Sequence, residues 1–129
     1  MKRCLDTCAY SRLMLGHRGL QDCLEEADIL VLPVIVLGEL HAGFEAGNLS
    51  AENENRLKSF LEAPNVRIQD ATWDIAHRYA FLVNELRRAG TPIPTNDIWI
   101  AATALELGAR LVTYDVHFRV IPGLVVDAP

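Results

Sequence analysis

At 129 residues, half of them hydrophobic and 22% charged, the chain is long enough to bury one core and too apolar to be disordered. Twelve Lys and Arg against seventeen Asp and Glu leave a net charge of −5, which at face value argues against a nucleic-acid partner. Three cysteines, Cys4, Cys8 and Cys23, form neither a disulfide framework nor paired zinc spacing, and no apolar run is long enough for a membrane span. The expectation is one soluble, cytoplasmic domain over residues 1–129.

In chain order, KRCL (2–5) predicts a strand running into Asp6-Thr7, either of which can cap a helix over CAYSRLML. Gly16 and Gly19 break that helix, and LQDCLEEA adds another turn or two. The apolar run after Asp28, Ile29 to Leu32, has the character of a buried parallel strand, and Pro33 suits a helix start before Val34 to Ala46. Ser50 is placed to cap SAENENRLKSFLEA, Val66 to Ile68 predicts a short strand, and Thr72 caps the longest helix, which ends at Gly90. A helix from Thr95 then turns at Gly108 into the strand Arg110 to Thr113, and Leu124 to Val126 predicts a last short strand. This β-α-α-β-α-α-β-α-α-β-β order implies an α/β fold: a mostly parallel, twisted sheet of four to five strands with helices on both faces.

In such a sheet the ligand crevice lies outside the carboxyl ends of the strands. Asp6 and Asp115 come off strand ends there, Asp97 opens the helix that leads into Arg110 to Thr113, and Glu39 lies on an unusually apolar helix. Each acid alone has an ordinary explanation. A helix N-cap is worth about 1 kcal/mol and a first-turn acid about 0.3 to 1 kcal/mol, while Asp115 suits an Asx turn and Glu39 a path to solvent. Independent caps and turns have no reason to converge on one edge of the sheet. Neighbouring carboxylates repel unless a proton or a metal ion lies between them, and hard divalent cations take oxygen ligands of this kind. The four histidines, His17, His41, His77 and His117, lack paired ligand spacing; His117, close to Asp115, could touch substrate phosphate, but the ordinary reading is a surface or packing residue.

LDTCAYS with Asp6, VIVLGELHAG with Glu39, PTNDIWIAATALELGARLVT with Asp97, and TYDVHF with Asp115 followed by IPGL resemble the four-part signature of the PIN domain, more narrowly that of the VapC toxins of toxin-antitoxin pairs. The resemblance implies a three-layer α/β/α PIN-like fold and a Mg²⁺- or Mn²⁺-dependent endoribonuclease. It implies a homodimer neutralised by a VapB-type antitoxin, reaching operator DNA only through that antitoxin. Carried over, Asp6 and Asp97 become direct metal ligands, Asp115 serves a second metal position, Glu39 binds metal or orients the attacking water, and Thr7 and Thr113 orient carboxylates. The chain departs from the pattern after Asp115, where many relatives have a further acid and this one has His117 and Arg119. Bound cations would also answer the objection raised by net charge, because they make an acidic cleft attractive to phosphate.

Two other functions fit parts of the sequence. A catalytically weak PIN-like module would act through antitoxin binding and operon autoregulation. An aspartate phosphotransfer domain with Asp6 as nucleophile would want a second Asp two residues on, where the chain has Cys8. Tyr10, Leu13, Met14, Ile35, Leu37 and Phe44 offer apolar surface either for dimer or antitoxin contacts or for plain core packing. Arg56, Lys58, Arg78, Arg87 and Arg88 form the one basic cluster, read first as a solvated helix face and second as an RNA contact.

Overall fold

Three parallel strands near the start of the chain set the frame: β1 (Lys2–Leu5) pairs with β2 (Ile29–Pro33), and β2 with β3 (Val66–Gln69). In the computed structural model, which describes residues 1–129, the chain then returns to the other side of β1, where β4 (Arg110–Val112) and β5 (Val126–Asp127) complete the order β3-β2-β1-β4-β5. Every pairing is parallel. Right-handed crossovers on an outward and then a returning path put the connecting helices on opposite faces. One face therefore carries α1 (Thr7–Met14), α2 (Arg18–Glu25), α3 (Val34–Ala46) and α4 (Ser50–Leu61). The other carries α5 (Trp73–Arg88) and α6 (Thr95–Leu107). The reversal of strand order falls between β1 and β4, the switch point where α/β sheets open a crevice.

The central elements are apolar because both sides of them are covered. Cys4, Leu5, Leu32, Leu111 and Val112 are fully buried in the sheet, and α6 buries Ile98, Ile100, Ala101, Ala102 and Ala104. Small alanines let α6 lie close to the strands, and Trp99 stacks on Tyr79 of α5 with centroids 4.0 Å apart. Gly108 ends α6 at φ +63, a left-handed conformation that glycine adopts without Cβ strain, and the chain reverses into β4. That reversal brings the start of α6 and the end of β4 to the same sheet edge. No helix is long and apolar enough to cross a membrane.

Several expectations need correction. Gly19 lies inside α2, which His17 caps by accepting a hydrogen bond from the Leu20 N–H at 3.0 Å. Ser50 is the first residue of α4 and makes no cap bond; Leu49 occupies the cap position. The last strand is Val126–Asp127, later than Leu124 to Val126, because Asp127 is fixed from outside its own segment. Arg110 donates to its carboxylate twice, at 2.8 and 2.7 Å, and buried Arg3 donates at 3.2 Å. Tyr10 and Leu37 are core residues, 2% and 8% exposed, so they offer no free surface.

Candidate functional site

β1 and β4 end side by side, with Leu5 in register with Val112, so the residues that follow, Asp6 and Thr113, are neighbours across the switch point. Asp6 is 4% exposed and doubly held. One oxygen accepts from the Ala9 N–H at 2.8 Å, capping α1, and the other accepts from the Thr113 hydroxyl. The N-cap is therefore Asp6 and not Thr7. The Thr113 oxygen accepts in turn from the Asp115 N–H at 3.0 Å, so one buried hydroxyl ties Asp6 to the turn that carries Asp115.

Asp115 caps the 3-10 turn Val116–Val120, accepting from the His117 N–H at 2.9 Å. That tight turn brings the His117 ring back over the crevice, where Nδ1 lies 3.3 Å from Asp97 Oδ2 and 3.2 Å from Asp115 Oδ1. Asp97 projects from the first turn of α6. Donor atoms of Asp97, Asp115 and His117 all fall within 4.8 Å of one another. Asp6 stands outside that group, although its charge is felt within the crevice. On the α3 side, the half-buried Glu39 accepts a 2.8 Å hydrogen bond from the Thr7 hydroxyl.

The acids destabilise one another's charged forms. Burial pushes the Asp6 carboxyl above the usual carboxylate range; the bonds from Thr113 and Ala9 pull it part of the way back, and the charges of Asp115 and Asp97 push it up again. Burial likewise raises Asp97, the hydrogen bond to His117 opposes the rise, and the Asp115 and Glu39 charges add to it. Burial is the larger cause of both shifts, and the neighbouring negative charges that add to it are what a divalent cation would offset. The donor set fits such an ion: carboxylate oxygens suit Mg²⁺ and Mn²⁺, and the imidazole suits the latter. Burial and then the Asp6 and Asp115 charges push the Cys8 thiol up as well.

Sequence reasoning names His117 for its nearness to Asp115 but leaves it out of the site residues, because a position two residues after an acid that leaves a strand means little unless the 3-10 turn is known. The basic cluster disperses. Arg56 donates to the Met14 carbonyl, Arg78 pairs with Glu106 and Arg88 with Glu85. His41 binds Glu54 at 2.7 Å, away from Glu39.

A family model described as PIN domain matches residues 3–124. The chain is 31% identical to Ribonuclease VapC4 of Mycobacterium tuberculosis over 93 residues, 72% of each protein. It is 30% identical to Ribonuclease VapC2 of Rickettsia felis over 107 residues, 82% of this chain and 78% of that one. Among solved structures, VapBC2 from Rickettsia felis bound to a DNA fragment from their promoter superposes with a TM-score of 0.89 at 27% identity, covering 98% of both chains. The resemblance read from the segments around Asp6, Glu39, Asp97 and Asp115 is borne out across the sheet and all six helices: the chain belongs to the PIN-domain family, in the company of the VapC proteins.

Proposed function

We propose that this chain is a metal-dependent endoribonuclease toxin that hydrolyses RNA phosphodiester bonds and is silenced by a small VapB-type antitoxin. One observation carries the reading: two carboxylates and an imidazole within 4.8 Å of one another at the switch point of a parallel sheet, with Asp6 and Glu39 alongside. Asp97 and Asp115 would hold Mg²⁺ or Mn²⁺, with Asp6 completing the negative field from behind. When bound, the ion neutralises phosphate charge and lowers the pKa of the attacking water. Glu39, with one oxygen engaged by Thr7, would use its other oxygen to accept the proton released when water attacks phosphorus. Thr113 keeps Asp6 in a single orientation. The relatives named ribonucleases support the reaction class, and the VapBC complexes support the partner.

A groove between α1, α3 and α4 supports a docked partner segment. Met14, Phe44, Asn53 and Arg56 line it, and the buried Tyr10 hydroxyl there has no hydrogen-bond partner. A second copy of the chain is the other partner proposed, because α5 leaves two large aromatic side chains, Trp73 and Phe81, 79% and 60% exposed. The test of the reaction is mapping of new RNA 5′ ends after incubation with the purified full chain, with Mg²⁺ or Mn²⁺ and with excess chelator. Discrete new ends that vanish with chelator are expected. Absence of cleavage with either ion would overturn the enzymatic reading in favour of a binding module, and cleavage undiminished by chelator would overturn the metal assignment.

A further inference from the structure

His117 stands where the sequence breaks the acidic pattern, and the fold gives it a specific place. The side chain is half exposed, with no burial to explain its position, yet Nδ1 faces the carboxylate oxygens of both Asp97 and Asp115 at 3.3 and 3.2 Å. Ligands held at about 2.1 Å around an octahedral ion are spaced about 3 Å along each edge. The spacing from Nδ1 to each carboxylate is close to that edge, and the one nitrogen that hydrogen-bonds Asp97 in the metal-free chain meets both carboxylates at once. The ring position is also set by the backbone. Asp115 caps the 3-10 turn through the His117 N–H itself, so the residue that brings one carboxylate to the site fixes the imidazole beside it.

We propose that His117 Nδ1 is a direct ligand of the divalent ion held by Asp97 and Asp115, and that it tunes this site toward Mn²⁺ and away from Mg²⁺. The proposal rests on the metal-site reading above and adds to it the ligand that decides which ion is preferred. Mg²⁺ takes oxygen and keeps its waters, whereas imidazole nitrogen is a favourable ligand for the first-row transition ions. A neutral imidazole also adds no negative charge to the site, so the purely electrostatic hold on Mg²⁺ is left to the carboxylates. The other three histidines take no part. His17 caps α2, His41 pairs with Glu54, and His77 packs on Trp73.

The experiment uses the full chain with Mn²⁺ alone as the probe. Pulsed electron paramagnetic resonance of bound Mn²⁺ reads directly whether a histidine nitrogen is coordinated, and calorimetry gives the affinities for Mn²⁺ and Mg²⁺. The wild type is expected to show nitrogen hyperfine coupling that disappears in His117→Ala. The same substitution is expected to weaken Mn²⁺ about tenfold or more, Mg²⁺ by much less, and His117→Asp to shift the preference toward Mg²⁺. Because the side chain is half exposed, both variants should keep the wild-type circular dichroism. Bound Mn²⁺ without nitrogen coupling, or with coupling that survives His117→Ala, would overturn the role of His117 and leave the carboxylate site standing. Failure of the wild type to bind either ion would overturn the metal-site reading, and the proposal with it.

Discussion

Asp6 shows how one side chain can serve the fold and the site together. Its carboxylate caps α1 and is gripped by Thr113, but burial and its acidic neighbours make the charge unfavourable while no cation is present. Asn keeps the shape and the Ala9 bond while removing the charge, so Asp6→Asn should raise the melting temperature of the metal-free chain. The sign follows from linkage. The folded-state pKa lies above the ordinary 3.8, so the penalty is full at neutral pH and is relieved as pH falls through the raised value toward 3.8. The stability gap between variant and wild type, followed by thermal melts across that range, should be widest near neutrality and close on acidification. A gap that widens instead would contradict the assignment of Asp6 as an unfavourably charged group. Thr113→Val removes the hydroxyl that orients Asp6 and accepts from Asp115, and should weaken Mn²⁺ binding about 10- to 100-fold in a calorimetric titration, with little loss of helix content.

At the level of elements, the acids meet because helix ends and strand ends are made to coincide. Gly108 is the pivot. At φ +63 an alanine would carry a left-handed backbone, so Gly108→Ala should cost about 1 kcal/mol by denaturant melt, although nothing lies within 4 Å of the added Cβ. At the far edge, Asp127 pins β5 through Arg3 and Arg110, and the two Arg110 hydrogen bonds followed by the single one from Arg3 hold its carboxyl below the usual range against the opposing effect of burial. Its contribution is therefore present above 3.8 and is lost as pH falls through the depressed value, the reverse of Asp6. Asp127→Asn should cost about 2 kcal/mol at neutral pH, since the variant removes the carboxylate shared by Arg110 and buried Arg3 and leaves Arg3 only the exposed Glu26 as a charged partner. The same anchor explains why β5 was misplaced by two residues at its start when read from the sequence. Local pattern favours the apolar Leu124 to Val126, whereas the register answers to arginines 17 and 124 positions away. Helix spans were legible because Thr72, Gly90 and Gly108 punctuate them, and Ser50 misled because a serine before a helical run can as easily be its first residue as its cap.

For the whole molecule, the parallel α/β class could be read from element order alone, since β-α-α-β units leave few alternatives. The order of strands could not, because nothing in the spacing says that the chain passes back over β1 before laying down β4. That passage creates the switch point and with it the site. The approach of Asp97 to Asp115 was legible as a consequence of the sheet edge, although Asp6 stands outside their group, whereas the nearness of His117 was not, because a 3-10 turn of five residues leaves no periodic trace. The account makes the molecule a scaffold that holds like charges together at a cost that a cation offsets, so its most direct test is calorimetric titration of the full chain with Mn²⁺ and Mg²⁺, beside Asp97→Asn. Saturable binding by the wild type, at least about 100-fold weaker in the variant and accompanied by a metal-induced rise in melting temperature in the wild type alone, is the predicted result. Equal affinity in the two proteins, or no binding by the wild type, would contradict it.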